Sequence, residues 1–162
     1  MTWDTTALLA KARMDNHPAV AAPPTLRLTP AIFGKLLVAA WAARHGRTDF
    51  PPRDRITDVL LERAGEAPAD VDSILCVDDR ITGPVLADWS EYMAAAQMSG
   101  LVKRLNPDYV RVVVEIDGLT GRDLLDDYTR GKPELKRWVE TVVDDLSRPA
   151  GMASCDAASS GR

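Results

Sequence analysis

Along most of this chain apolar residues return every three or four positions, and in one short stretch they alternate. The first spacing predicts helices and the second a half-buried strand. Leu8, Leu9 and Ala12 place a short helix over residues 3–14. Phe33, Leu36, Leu37, Ala40 and Trp41 predict a helix capped by Thr29, with Pro30 in its first turn and Gly46 at its end. The next runs from Pro51-Pro52 through Ala64 with Ile56, Val59 and Leu60 on one face, and Gly65 stops it. Pro68 opens a shorter helix bearing Val71, Ile74 and Leu75. Val77-Asp78-Asp79-Arg80 reads as a turn. Thr82-Gly83-Pro84 then opens a helix striped by Val85, Leu86, Trp89, Tyr92, Met93 and Ala96, which Gly100 stops.

Two strands are expected next, Leu101–Leu105 and Tyr109–Ile116, joined by the turn-forming triplet Asn106-Pro107-Asp108. In the second strand Val110, Val112, Val114 and Ile116 alternate with Tyr109, Arg111 and Glu115. Helices return over Thr120–Thr129 and Pro133–Ser147, the latter with Leu135, Trp138, Val139, Val142 and Leu146 on one stripe. That stripe fits packing on the core or on a second copy of the chain. The pattern therefore predicts a mainly α protein with a small antiparallel β-hairpin. Its parts are an N-terminal helical arm with a Pro/Ala-rich linker (1–28), one helical domain (29–148) and a disordered small-residue tail (149–162).

Composition narrows the class. A chain of 162 residues with 46% hydrophobic and 27% charged residues can bury a sizeable core without metal or disulfide staples. Its net charge of −4 leans against binding carried mainly by phosphates, although a local basic patch can sit on an acidic body. Two distant cysteines, Cys76 and Cys155, fit a reducing compartment, and the amino terminus lacks the basic start and apolar run of a signal peptide. No apolar stretch approaches the roughly 20 residues of a membrane span. The expectation is a cytoplasmic protein.

Candidate chemistry is sparse. Asp78-Asp79, Asp126-Asp127 and Asp144-Asp145 are paired carboxylates, but neighbours on a helix diverge by about 100° and do not converge on one ion. His17 lies among prolines, and His45 ends a helix, where a cation complements the dipole. Cys76, between Leu75 and Val77, reads as a small core residue, and Trp41, Trp89 and Trp138 read as core. Arg44, Arg47, Arg53 and Arg55 are interspersed with Asp49, Asp54 and Asp58, which suggests a mixed solvated surface. No nucleophile–base pair, metal-ligand spacing or phosphate loop is present, so neither catalysis nor a cofactor or metal is expected.

The run Gly100-Leu101-Val102-Lys103-Arg104 through Tyr109-Val110-Arg111-Val112-Val113-Val114 resembles the wing of MarR-type winged-helix regulators. Gly121-Arg122-Asp123-Leu124-Leu125 is similar to the helix that follows that wing. The resemblance implies a winged-helix-like core with additional terminal helices. It also implies a homodimeric, DNA-binding transcriptional regulator. Arg111 would enter the minor groove, Lys103 and Arg104 would lie near phosphates, and Ser90 and Gln97 would face bases from the recognition helix. That helix, however, holds no Lys or Arg and carries Asp88 and Glu91. The alternative is an acidic adaptor or inhibitor, antitoxin-like or carried by a mobile element, binding a basic protein partner through Asp88, Glu91 and Tyr92. Gly83-Pro84-Val85 is similar to a stretch of Panacea-type antitoxins.

Overall fold

A computed structural model describes residues 26–105 and 111–149; the expected helix over 3–14, the turn at Asn106-Pro107-Asp108 and the tail beyond Pro149 lie outside them. Thr29 is extended and its hydroxyl accepts the Ile32 N–H at 3.3 Å. Pro30 then supplies a pre-set first turn to helix α1, Pro30–His45, which ends at Gly46 with φ 69°. From Phe33 to Ala42 every residue of α1 except half-buried Lys35 is buried. An apolar helix on all sides belongs at the centre of a bundle, and that is where α1 lies.

Around it stand α2 (Arg53–Glu62), a 3-10 turn (Ala64–Glu66), the single turn α3 (Ala69–Asp72), α4 (Trp89–Met98), α5 (Gly118–Tyr128) and α6 (Pro133–Ser147). Helix α1 packs most extensively on α5 and α4, and also on α6. Two glycines set these approaches. A Cβ on Gly34 would stand 2.5 Å from Tyr92 Cα, and one on Gly121 would stand 2.6 Å from the Ala43 nitrogen. Phe33 meets Tyr92 edge-on at 5.6 Å and Trp138 at 6.3 Å, tying α1, α4 and α6 into one core.

Helix α6 spans the predicted residues, and its stripe of Leu135, Trp138, Val139, Val142 and Leu146 is buried within the chain. Polar contacts moor it to α2. The Trp138 indole N–H donates to the Arg63 carbonyl at 3.1 Å, Arg63 Nε to Asp145 Oδ2 at 2.6 Å, and Arg55 to the Asp145 carbonyl at 3.0 Å. Arg44 pairs with Asp144 at 3.2 Å. Arg44 and Arg55 of the expected mixed surface thus hold helices together.

The structure departs from the pattern between residues 77 and 88. Val77–Arg80 is not a turn but strand β1, and Gly83–Leu86 is not helical but strand β2, antiparallel to it. The helix expected from Pro84 starts only at Trp89. Proline suits a helix's first turn, but it also suits a strand position where no N–H is needed. Gly83, at φ 108°, sits in a backbone region that disfavours side chains and closes the two-residue reversal at Ile81-Thr82. Cys76 is exposed, contrary to its expected core place, because the hairpin stem leaves it outside.

The expected hairpin forms as β3 (Val102–Arg104) and β4 (Val112–Val114), each shorter than the pattern suggests. A third extended segment joins it. Asp49 bridges Val113, the Phe50 N–H donates to the Val112 carbonyl at 2.8 Å, and the Val114 N–H to the Thr48 carbonyl at 2.9 Å. Trp41 holds this segment in place, its indole N–H shared between Thr48 Oγ1 and the Asp49 carbonyl at 3.1 Å each. β4 is therefore central.

His45 stacks on Trp41 at 4.1 Å and its Nε2 lies 2.7 Å from Ser147 Oγ. Burial and the adjacent Arg44 lower its pKa below 6.5, with Asp144 opposing. A depressed base binds fewer protons folded than unfolded, so its contribution is complete above pH 6.5 and fades as pH falls through the lowered value. Urea unfolding of wild type should show a loss of stability between pH 7.5 and 5.5 that His45→Gln reduces. Equal slopes in the two proteins would sink this assignment.

Candidate interaction surface

The outer face of the β3–β4 sheet carries the residues that the wing resemblance singles out. Lys103 lies opposite Val113, which lies opposite Asp49, and Arg111 and Glu115 share Val113's side of the strand. The other side turns Val102, Val112 and Val114 into the core. Arg111 does not project alone. Its Nε and a terminal nitrogen donate to the two carboxylate oxygens of Asp49 at 3.0 and 2.9 Å. Such a fork-to-fork pair orients the guanidinium beside a carboxylate at the surface, where both side chains stay more than half exposed. Among the described residues Lys103 is exposed, while Arg104 is half-buried, its Nε enclosed without a hydrogen-bond partner. Two cations and two carboxylates thus balance across this face, at Lys103, Arg111, Asp49 and Glu115.

Helix α4 adds no cation. Ser90, Glu91, Ala94, Gln97 and Met98 form its exposed side, and Asp88 is half-exposed at its start. Ser90 and Gln97 are accessible as expected, at opposite ends of the helix. Tyr92 is not: it is fully buried against Phe33, so it cannot form the partner contact expected of it. Its hydroxyl lacks a hydrogen-bond partner among the described residues, and burial, with Asp88 and Cys76 adding, pushes its pKa up. The reason is Gly34, which lets α1 and α4 approach until Tyr92 points inward.

The β1–β2 hairpin, which no sequence signal located, runs directly into α4. Residues 77–99 hold Asp78, Asp79, Asp88 and Glu91 against a single cation, Arg80. All of β1 is exposed, and Ile81 at the reversal is wholly so. β2 is fastened beneath by buried Leu86, whose carbonyl accepts from Arg53 at 2.8 Å. Arg53 of the expected mixed surface is thereby also structural.

Between α1, α5 and α6 runs a groove of about 440 Å³ with Ala40, Leu125 and Val143 at its floor. Two ion pairs cross its rim, Arg44 to Asp144 and Lys136 to Asp126. Among the described residues no three His, Cys, Asp or Glu side chains gather as metal ligands, and no helix is long and apolar enough to cross a membrane. No family model, curated protein or solved structure matches this chain.

Proposed function

We propose that this chain is a non-enzymatic protein-binding module, an adaptor or inhibitor of the antitoxin kind acting in the cytoplasm. It meets a basic partner with the acidic surface of the β1–β2 hairpin and the exposed side of α4. The observation that carries this reading is the pairing of Arg111 with Asp49. The residue that would enter a DNA groove is already engaged by a carboxylate, and the helix beside the sheet offers duplex DNA no cation. Asp88 and Glu91, by contrast, are placed to meet cations on a protein. Complementary charge of this kind speeds encounter and rejects wrong partners.

A second reading keeps the DNA-binding, homodimeric winged-helix regulator, because α4 directly precedes the β3–β4 hairpin, as a recognition helix precedes its wing. Residues 63–88 stand between α2 and α4, however, where a helix-turn-helix uses a turn of about 3–4 residues.

Titration against random duplex DNA at about 50 and 200 mM salt separates the two, since phosphate contacts make binding steeply salt-dependent. No salt-sensitive binding is expected. Binding that falls steeply with salt and weakens in Arg111→Ala would overturn the protein-binding reading. Failure to recover any stoichiometric protein partner from the native host would also count against it.

A further inference from the structure

The β1–β2 hairpin has two long edges, and they are treated differently. The Ala87 N–H donates to the Cys76 carbonyl at 2.9 Å, so Cys76 and Ala87 form a hydrogen-bonded pair. In an antiparallel ladder such pairs alternate with pairs whose N–H and C=O groups point away from each other. By the register Val77↔Leu86, Asp78↔Val85, Asp79↔Pro84 and Arg80↔Gly83, the outward-pointing positions are Val77 and Asp79 on β1, and Pro84 and Leu86 on β2.

The β2 edge is blocked at two of its four outward groups. Pro84 has no N–H to offer, and the Leu86 carbonyl is taken by Arg53. Both are means by which proteins protect a strand edge. The β1 edge has neither. Among the described residues nothing pairs with the outward N–H and C=O groups of Val77 and Asp79, and the whole strand is exposed. Asp78 and Asp79 project to opposite faces of this edge. Exposed Val77 precedes them, and Arg80, whose guanidinium lies 3.9 Å from Asp78 in a solvated pair, separates them from exposed Ile81.

We propose that the β1 edge is a strand-addition site for an extended segment of a partner protein that carries two adjacent basic residues between apolar ones. The inference rests on the protein-binding reading and names its contact. Main-chain hydrogen bonds to Val77 and Asp79 supply the pairing. One basic residue meets Asp78 on one face and its neighbour meets Asp79 on the other, with apolar residues beside Val77 and Ile81. A second copy of this chain is a poorer occupant, because β1 paired antiparallel on itself and centred on Asp78 or Asp79 sets a carboxylate against its own copy, and like charges across strands repel.

The probe is the blocked peptide Thr-Val-Lys-Lys-Val-Thr, followed by amide NMR and hydrogen exchange on the full chain. The Val77 and Asp79 amides should exchange freely alone and become protected with the peptide. N-methylating alternate peptide amides, so that charge stays and strand pairing is lost, should weaken binding by roughly tenfold or more, as should Asp79→Pro. That proline removes an outward N–H and the Asp79 carboxylate together, opposite the proline the hairpin already holds at position 84, whereas the N-methylated peptide tests the strand pairing alone. The N-methyl comparison needs no variant, so a misfolded Asp79→Pro protein does not rescue the idea.

Protection of Val77 and Asp79 in the free chain, equal binding of the N-methylated peptide, or no binding of the peptide at all would each overturn the proposal. Salt-steep DNA binding would instead remove the reading on which it rests.

Discussion

Gly34→Ala is expected to destabilise the fold by about 3 kcal/mol or more, at the upper end of overpacking effects. In an ordinary exposed helix the same change stabilises by up to about 1 kcal/mol. Here the added methyl would lie 2.5 Å from Tyr92 Cα and 2.6 Å from the Tyr92 carbonyl oxygen. These are backbone atoms, so no side chain can rotate away. Helix α4 must move off α1, and it takes with it the Phe33–Tyr92 contact and the seating of Met93 and Ala96. Urea denaturation followed by circular dichroism checks the sign directly. A variant as stable as wild type would mean that α1 and α4 are not in this contact.

Trp138→Ala should cost about 3–5 kcal/mol, as large aromatic truncations in cores do. The indole is buried, lies 6.3 Å from Phe33, and donates to the carbonyl at the end of α2. Alanine leaves a cavity between α1 and α6 and removes one of the two donors to the Arg63 carbonyl, which keeps the Glu66 N–H at 3.1 Å. Trp138→Phe keeps most of the packing and loses the hydrogen bond, for about 1 kcal/mol. The two variants thus separate volume from polarity in the same melting experiment. If both lose the same amount, the packing account is wrong. Against a total stability of roughly 5–15 kcal/mol, either Gly34→Ala or Trp138→Ala removes about a fifth or more.

Local signals located what local forces determine. Thr29-Pro30 and Gly46 bracket α1, and Pro133 opens α6, because caps and prolines act within one turn of the residue that carries them. The Val-rich alternation found β4. Three features escaped this reading, each for a physical reason. Gly83-Pro84 satisfies a helix start and a hairpin edge equally well, and only the pairing with Val77–Arg80 decides between them. The Thr48–Phe50 segment is too short for an alternation to show, and Trp41 and β4 hold it extended. Arg111 and Asp49 stand 62 residues apart, so no spacing announces their pairing. It is this long-range contact that changes the functional reading of the sheet face. The adaptor alternative uses Tyr92 as a partner contact although it lies on the apolar stripe of its helix; the close approach at Gly34 buries it.

Helix α1 has a further consequence for how the protein is made. It is complete at His45, but the helices that cover it begin at Trp89, Gly118 and Pro133. At about 5–20 residues per second, roughly 5–20 s of synthesis pass between the end of α1 and the end of α6. During that interval a rod that is apolar on every side is only partly covered, first by α4 and then by α5. Until its last helix emerges the nascent chain exposes apolar surface of the kind that promotes aggregation. A chain that stops before Pro133 lacks the helix whose Trp138 packs on Phe33, and leaves that side of α1 uncovered.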